Sequence, residues 1–296
     1  MRRGKRYFIA AEIPCTVESE DAISHAVFSL GAMGCEVREH MIIAYFPDQP
    51  LESLQQKVAA ILQTIRSSGL EVPNRAPVFR RFAEENWQES WKAYFKPVVL
   101  ADYLAVRPPW ERKPQEARVE VIIEPARAFG TGTHESTQLI LEWMVAYRHD
   151  LPKHALDVGT GSGILAIAHV KLAPGSVVVG CDIDPLALEN ASENVRLNRV
   201  EEACWFYAGS LDALGGTTFP LIYANLESRI IAPLLEQLAS HLDEGGQLLL
   251  SGILTREQEA MLRAVEQSGQ LAVVAQRQKR EWLLLVCRRQ HADRRS

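Results

Sequence analysis

From residue 155 to residue 289 the chain repeats one unit, a short apolar run followed by a longer stretch with helical patterning. The runs are "ALDVG", "SVVVGCD", "CWFYAG", "LIYANL" and "GGQLLLSGI", and the helical stretches are 163–172, 185–197, 229–242 and 255–267. Apolar strands alternating with helices dictate a doubly wound sheet that is mostly parallel and covered on both faces. Two further runs, "LAVVAQRQ" and "EWLLLVCRR", close the chain. They stand near enough together to form a hairpin, which predicts an antiparallel edge and brings the sheet to seven strands.

The first eighty residues have a different rhythm. "RYFIAAEI" reads as a strand, 18–30 as a helix with Glu18, Glu20 and Asp21 in its first turn, and "CEVREHMIIAYF" as a strand pair or one long strand. A helix over 51–68 then carries Leu51, Leu54, Val58, Ile61, Leu62 and Ile65 on one face, and "PVFRRF" is another strand. This alternation predicts a small α+β domain of the ferredoxin-like sort over residues 1–83. Residues 84–101 carry Trp87, Trp91, Tyr94 and Phe95 at helical spacing. A connecting helix packed by its aromatic face accounts for them better than a ligand box. Residues 102–296 form the second domain. The whole is an α/β chain: a seven-stranded doubly wound domain behind a smaller α+β one.

A net charge of −5 argues against a chain coated in nucleic acid, and the basic ends "MRRGKR" and "CRRQHADRRS" read as solvated tails. Five scattered cysteines, with no C-x-x-C pair and no histidine at ligand spacing, fit free thiols in a reducing compartment and no metal site. No apolar run approaches the roughly eighteen residues of a membrane span. The chain reads as a soluble cytoplasmic monomer.

The chemistry concentrates where strands end. "LDVGTGSG", 156–163, closes the first strand of the large domain with Asp157, Gly159, Gly161 and Gly163. Glycines let the backbone turn tightly and come close to a ligand, and the next helix aims its positive N-terminus at the same place. About twenty residues on, Asp182 ends the second strand, where a carboxylate accepts from a ribose diol. As Gly159-x-Gly161-x-Gly163 the turn has the pattern of an S-adenosylmethionine site. As Gly161-x-Gly163-x-x-Ala166 it also satisfies the dinucleotide fingerprint. "CDIDP", the placement of Asn225 at the same rim in "YANLES", and the terminal strand pair together favour the methyl donor. Asn225-Leu226-Glu227-Ser228 lacks the Pro-Pro-aromatic clamp that grips planar amides and base amines.

"ENWQESWKAYFKPV", "AFGTGTHEST", "LDVGTGSGILAIA", "GCDIDPLALENASENVRLN", "ANLESRIIAPLLEQL" and "GGQLLLSGIL" run from residue 86 to residue 254. In these segments the chain resembles the PrmA family, the methyltransferases of ribosomal protein L11. "FGTGTH" just ahead of a methyltransferase fold is more specific than the glycine turn alone. The resemblance implies that S-adenosylmethionine is held by Thr137, Gly159, Gly161, Asp182 and Asn225. It also implies that the small domain grips the ribosomal protein, whose lysine side-chain and N-terminal amines receive the methyl groups. Two segments depart from the family pattern: His134-Glu135-Ser136-Thr137 replaces His-Pro-Thr-Thr, and Asn225-Leu226-Glu227-Ser228 replaces Asn-Ile-Leu-Ala. Glu227, and after it His134, are the side chains placed to assist proton loss from the amine or to hold it. The competing readings are a same-fold enzyme for another protein, a cofactor-binding protein without turnover, and a nicotinamide-dependent oxidoreductase.

Overall fold

The computed structural model describes residues 7–38, 40–83, 95–125, 132 and 134–290. They fall into two compact units, one carrying the elements up to Ala83 and the other those from Val98 onward.

The first unit runs β1 (Tyr7–Pro14), α1 (Val17–Ser29), β2 (Gly34–Arg38), β3 (Met41–Pro47), α2 (Leu51–Ser67) and β4 (Val78–Ala83). Its sheet order is β2-β3-β1-β4, with every neighbouring pair antiparallel, the arrangement of the split β-α-β sandwich. Period-two alternation sends Ile9, Ala11 and Ile13 of β1 into one core with Leu54, Val58, Leu62 and Ile65 of α2. α1 starts at Thr16 through a reciprocal cap: Ser19 N donates to Thr16 Oγ1 (3.3 Å) and Thr16 N to Ser19 Oγ (3.0 Å). Residues 35–46 resolve into two strands, and His40 near the turn between them has φ +68°.

The second unit opens with β5 (Val98–Leu100), β6 (Leu104–Arg107) and β7 (Val119–Ile122), a separate three-stranded sheet. β5 corrects the end of the expected 84–101 helix. Pro97 disfavours helix in the residue before it, and the β-branched Val98 and Val99 pair instead with β6. Residues 84–94 of that expected helix, with Trp87, Trp91 and Tyr94, lie outside the described residues.

Then follow α3 (Glu135–Ala146), β8 (His154–Val158), α4 (Ile164–Leu172), β9 (Val177–Asp182), α5 (Pro185–Asn198), β10 (Cys204–Ala208), β11 (Phe219–Asn225) and α6 (Ser228–Ser240). β12 (Leu242–Leu254), α7 (Gln258–Gln267), β13 (Leu271–Lys279) and β14 (Trp282–Arg289) complete the unit. The seven-stranded sheet has the order β10-β9-β8-β11-β12-β14-β13. β8 to β12 run parallel, and β14 is antiparallel to both of its neighbours. The last two strands pair antiparallel and form that end of the sheet, with β13 outermost. β8 sits between β9 and β11, so the strand order reverses at its carboxyl end and opens a crevice there. No helix among the described residues is long and apolar enough to cross a membrane.

The core of the described residues holds a polar link between His169 and Tyr223. His169 of α4 is buried, with Nδ1 2.7 Å from the Tyr223 hydroxyl and Nε2 2.9 Å from the Pro152 carbonyl. A carbonyl only accepts, so Nε2 carries the proton and Nδ1 accepts from the tyrosine. Burial pushes the imidazole pKa down to about 4 from 6.5. The neutral ring is therefore favoured by folding, and this contribution, complete above pH 6.5, is lost as pH falls toward 4. His169→Gln is expected to lose about 1–2 kcal/mol less than the parent between pH 7.5 and pH 5 in urea unfolding. Parallel stability profiles would contradict this.

Candidate functional site

The turn after β8 exists because three glycines take left-handed backbone: Gly159 at φ +71°, Gly161 at +55° and Gly163 at +78°. Gly159 N and Thr160 N both donate to the Cys181 carbonyl at the end of β9 (2.9 and 3.0 Å), which folds the turn across the neighbouring strand. Beneath it Thr160 Oγ1 donates to the buried Asp157 carboxylate at 2.7 Å. Burial pushes the Asp157 pKa up to about 7, against the lowering effect of that hydroxyl. Asp182 faces the turn from β9, its Oδ2 accepting from Gly161 N (2.9 Å) and its Oδ1 from Asp184 N (3.0 Å). Each oxygen keeps a second lone pair for a ligand. The next residue, Ile183, is a large apolar side chain left 83% exposed at this rim.

Two other segments reach the same crevice. α3 begins at His134, whose Nδ1 accepts from Ser136 N (3.3 Å) and lies 2.7 Å from Ser136 Oγ. The ring stands edge-on to Trp282, 4.5 Å between centroids, and burial pushes its pKa down to about 4. His134 is thus a neutral cap at neutral pH. Thr137, one turn in, is fully buried, and its Oγ1 accepts from Asn225 Nδ2 at 3.0 Å. That bond joins segments 88 residues apart and leaves the threonine proton free to donate elsewhere. Asn225 Oδ1 is buried with no partner among the described residues.

The loop after β11 lies on the glycine turn. Leu226 N donates to Ser251 O (3.0 Å), and a methyl group on Gly159 would sit 2.5 Å from Leu226 Cδ2. Glu227 precedes α6 without capping it through its side chain; its Oε2 pairs with Arg229 Nε at 2.5 Å. Ser228 Oγ donates to Glu257 Oε2 at 2.6 Å. Ser251 Oγ, buried in β12, lies 3.0 Å from the Ser136 carbonyl and 3.1 Å from that of Leu283, tying β12 to α3 and β14.

The sequence model described as Ribosomal protein L11 methyltransferase (PrmA) matches residues 8–290. The chain belongs to that family. A relative named ribosomal protein L11 methyltransferase in Symbiobacterium thermophilum is 32% identical over 94% of this chain and 98% of its own length. One of the same name in Pelobacter propionicus is 38% identical over 83% of this chain and 81% of its own. Among solved structures, a ribosomal protein L11 methylase from Lactobacillus delbrueckii subsp. bulgaricus is similar at a TM-score of 0.60. It is 32% identical and covers 67% of this chain and all of that one.

Within this L11 methyltransferase family member the sequence-derived residues Thr137, Gly159, Gly161, Asp182 and Asn225 converge on the carboxyl ends of β8, β9 and β11 and on the start of α3. His134 and Glu227 lie at the same rim, the first turned into a helix cap and the second paired with arginine. Most of "AFGTGTH" (128–131 and Thr133) lies outside the described residues. Gly132 has φ +80°, and a methyl group there would be 2.6 Å from Val106 Cγ1. Sequence reasoning missed Ile183, Asn194, Ser251 and Gly252. Gly252, at φ +82°, carried a signal in its lone position inside an apolar strand.

Proposed function

We propose that this chain transfers methyl groups from S-adenosylmethionine to lysine side-chain and N-terminal amines of ribosomal protein L11. It is an S-adenosylmethionine-dependent methyltransferase by family, and the Asn225–Thr137 bond supports the reading most directly. It brings an orphaned carbonyl oxygen and an unspent hydroxyl proton together above the glycine turn. A cofactor with one amino and one carboxylate end suits that pair, Asp182 suits its ribose diol, and Ile183 offers an apolar face to a flat base. Bound there, the cofactor would supply an electrophilic methyl group on a sulfonium, transferable to a neutral amine as the S–C bond breaks and the neutral thioether leaves.

The protein's own work is then placement and desolvation. Thr137, Gly159, Gly161, Asp182 and Asn225 hold the cofactor, and Leu226 closes over the turn. A lysine amine with a pKa of about 10.4 has to shed its proton first. Glu227 is the carboxylate placed to receive the incoming ammonium, while His134, neutral and capped onto Ser136, keeps α3 in place. Glu227→Gln is expected to slow methyl transfer by about 3- to 10-fold with cofactor affinity unchanged. Unchanged turnover in a labelled-methyl assay would remove Glu227 from the mechanism. The small unit supports substrate recognition, because the large one already accounts for the cofactor residues.

Calorimetric titration tests the cofactor assignment. Binding of S-adenosylmethionine and its demethylated product, without binding of NAD, is expected. Binding of NAD alone would put the oxidoreductase reading of Gly161-x-Gly163-x-x-Ala166 in its place.

A further inference from the structure

The segment "ENASENVRLN" puts Asn190, Asn194 and Asn198 four residues apart on α5, and all three side chains are buried. Residues at i and i+4 share a helix face, so these form a polar ladder where an amphipathic helix carries apolar groups. A buried carboxamide without partners costs stability, so the partners show what the ladder holds.

Asn198 clamps β7: its Oδ1 accepts from Ile122 N (2.9 Å), and its Nδ2 donates to Ile122 O (2.6 Å) and Asn194 O (2.8 Å). Asn194 reaches two places at once. Its Oδ1 accepts from Glu124 N at 2.8 Å, just past the end of β7. Its Nδ2 donates to Ser162 O, inside the glycine turn, at 2.9 Å, and lies 3.2 Å from Asn190 Oδ1. One fully buried carboxamide therefore bridges two segments 38 residues apart. Glu124 leads into the Gly/Thr stretch that ends at α3, and Ser162 lies between the last two glycines of the turn.

We infer that Asn194 is a positioning residue that anchors the glycine turn to the end of β7 and so holds the turn in the shape that meets the cofactor. This rests on the cofactor assignment made above. Asn198 stands on the same helix and clamps the same strand without touching the turn, and so serves as the internal comparison.

The test measures S-adenosylmethionine affinity by calorimetry, with unfolding midpoints alongside, for Asn194→Asp and Asn198→Asp. In Asn194→Asp the oxygen facing Glu124 N is kept, while the donor to Ser162 O becomes an acceptor set against a carbonyl. Affinity is expected to fall about 10- to 100-fold, with KM for the cofactor rising and kcat at saturation kept within about 3-fold. Asn198→Asp is expected to lower the midpoint comparably and keep affinity within about 2-fold. Asn194→Ser, whose shorter side chain reaches neither partner, is the second variant if the aspartate fails to fold, and the same order is expected. Equal affinity losses at positions 194 and 198, or none at 194, would overturn the inference. Cofactor binding without methylation of L11 would overturn the substrate assignment and leave this anchoring intact, and no cofactor binding by the parent would overturn both.

Discussion

Replacing Gly252 by alanine is expected to lower methyl transfer by about 100-fold or more, although the residue touches no reacting group. Gly252 sits at φ +82°, where an L side chain costs about 1–2 kcal/mol. The added methyl would lie 2.5 Å from the Leu226 carbonyl oxygen, 2.9 Å from its carbonyl carbon and 3.1 Å from its nitrogen. These are backbone atoms and cannot swing aside as a side chain would. The loop carrying Asn225 and Leu226 has to move, and a displacement on the order of 1 Å in a positioned site costs about 100-fold in rate. Gly245→Ala is the control on the same strand: φ is +72°, yet nothing lies within 4 Å of the added methyl. It is expected to lose about 1 kcal/mol of stability and keep its turnover. Steady-state rates and urea unfolding of both variants decide the matter, and a Gly252→Ala rate within 3-fold of the parent would contradict the account.

Asp182→Ala is expected to weaken S-adenosylmethionine by about 100-fold, close to 3 kcal/mol. The carboxylate accepts from Gly161 N and Asp184 N, so it shapes the turn as well as meeting the ribose. Its removal leaves the Gly161 amide without its acceptor and deletes the anionic partner of the diol. Asp184→Ala separates these effects from loss of α5. Asp184 caps that helix through Leu186 N at 2.9 Å, so its loss is expected to cost about 1 kcal/mol of stability with affinity kept. Calorimetry on the two variants checks the pair, and equal affinity losses would mean that Asp182 acts only through the fold.

What could be read from the sequence was local. Alternation of apolar runs and helices gives the parallel sheet, and Gly159, Gly161 and Gly163 announce a tight turn by composition alone. Asp182 and Asn225 are marked by standing at strand ends, because a parallel sheet collects those ends on one rim. Pairing across long separations was not legible. Nothing in "LDEGGQLLLSGIL" says that Gly252 lies against Leu226, and nothing in "ENASENVRLN" says which carbonyls the asparagines hold. The charge of Glu227 was legible but its pairing with Arg229 was not, and nothing local to His134 announced that its ring caps α3 from a half-buried position. Val98 and Val99 were absorbed into a helical aromatic pattern because the strand they pair with begins only at Leu104.

Mass spectrometry of purified ribosomal protein L11 after incubation with this protein and S-adenosylmethionine reads the proposed transfer itself, with an unrelated lysine-rich protein as the control. Mass additions in steps of one methyl group on L11, and none on the control, are predicted. An unmodified L11 in the presence of measurable cofactor binding would contradict the substrate, and would direct attention to Glu135, Glu227 and Ser228 as residues that turn this site toward a different amine.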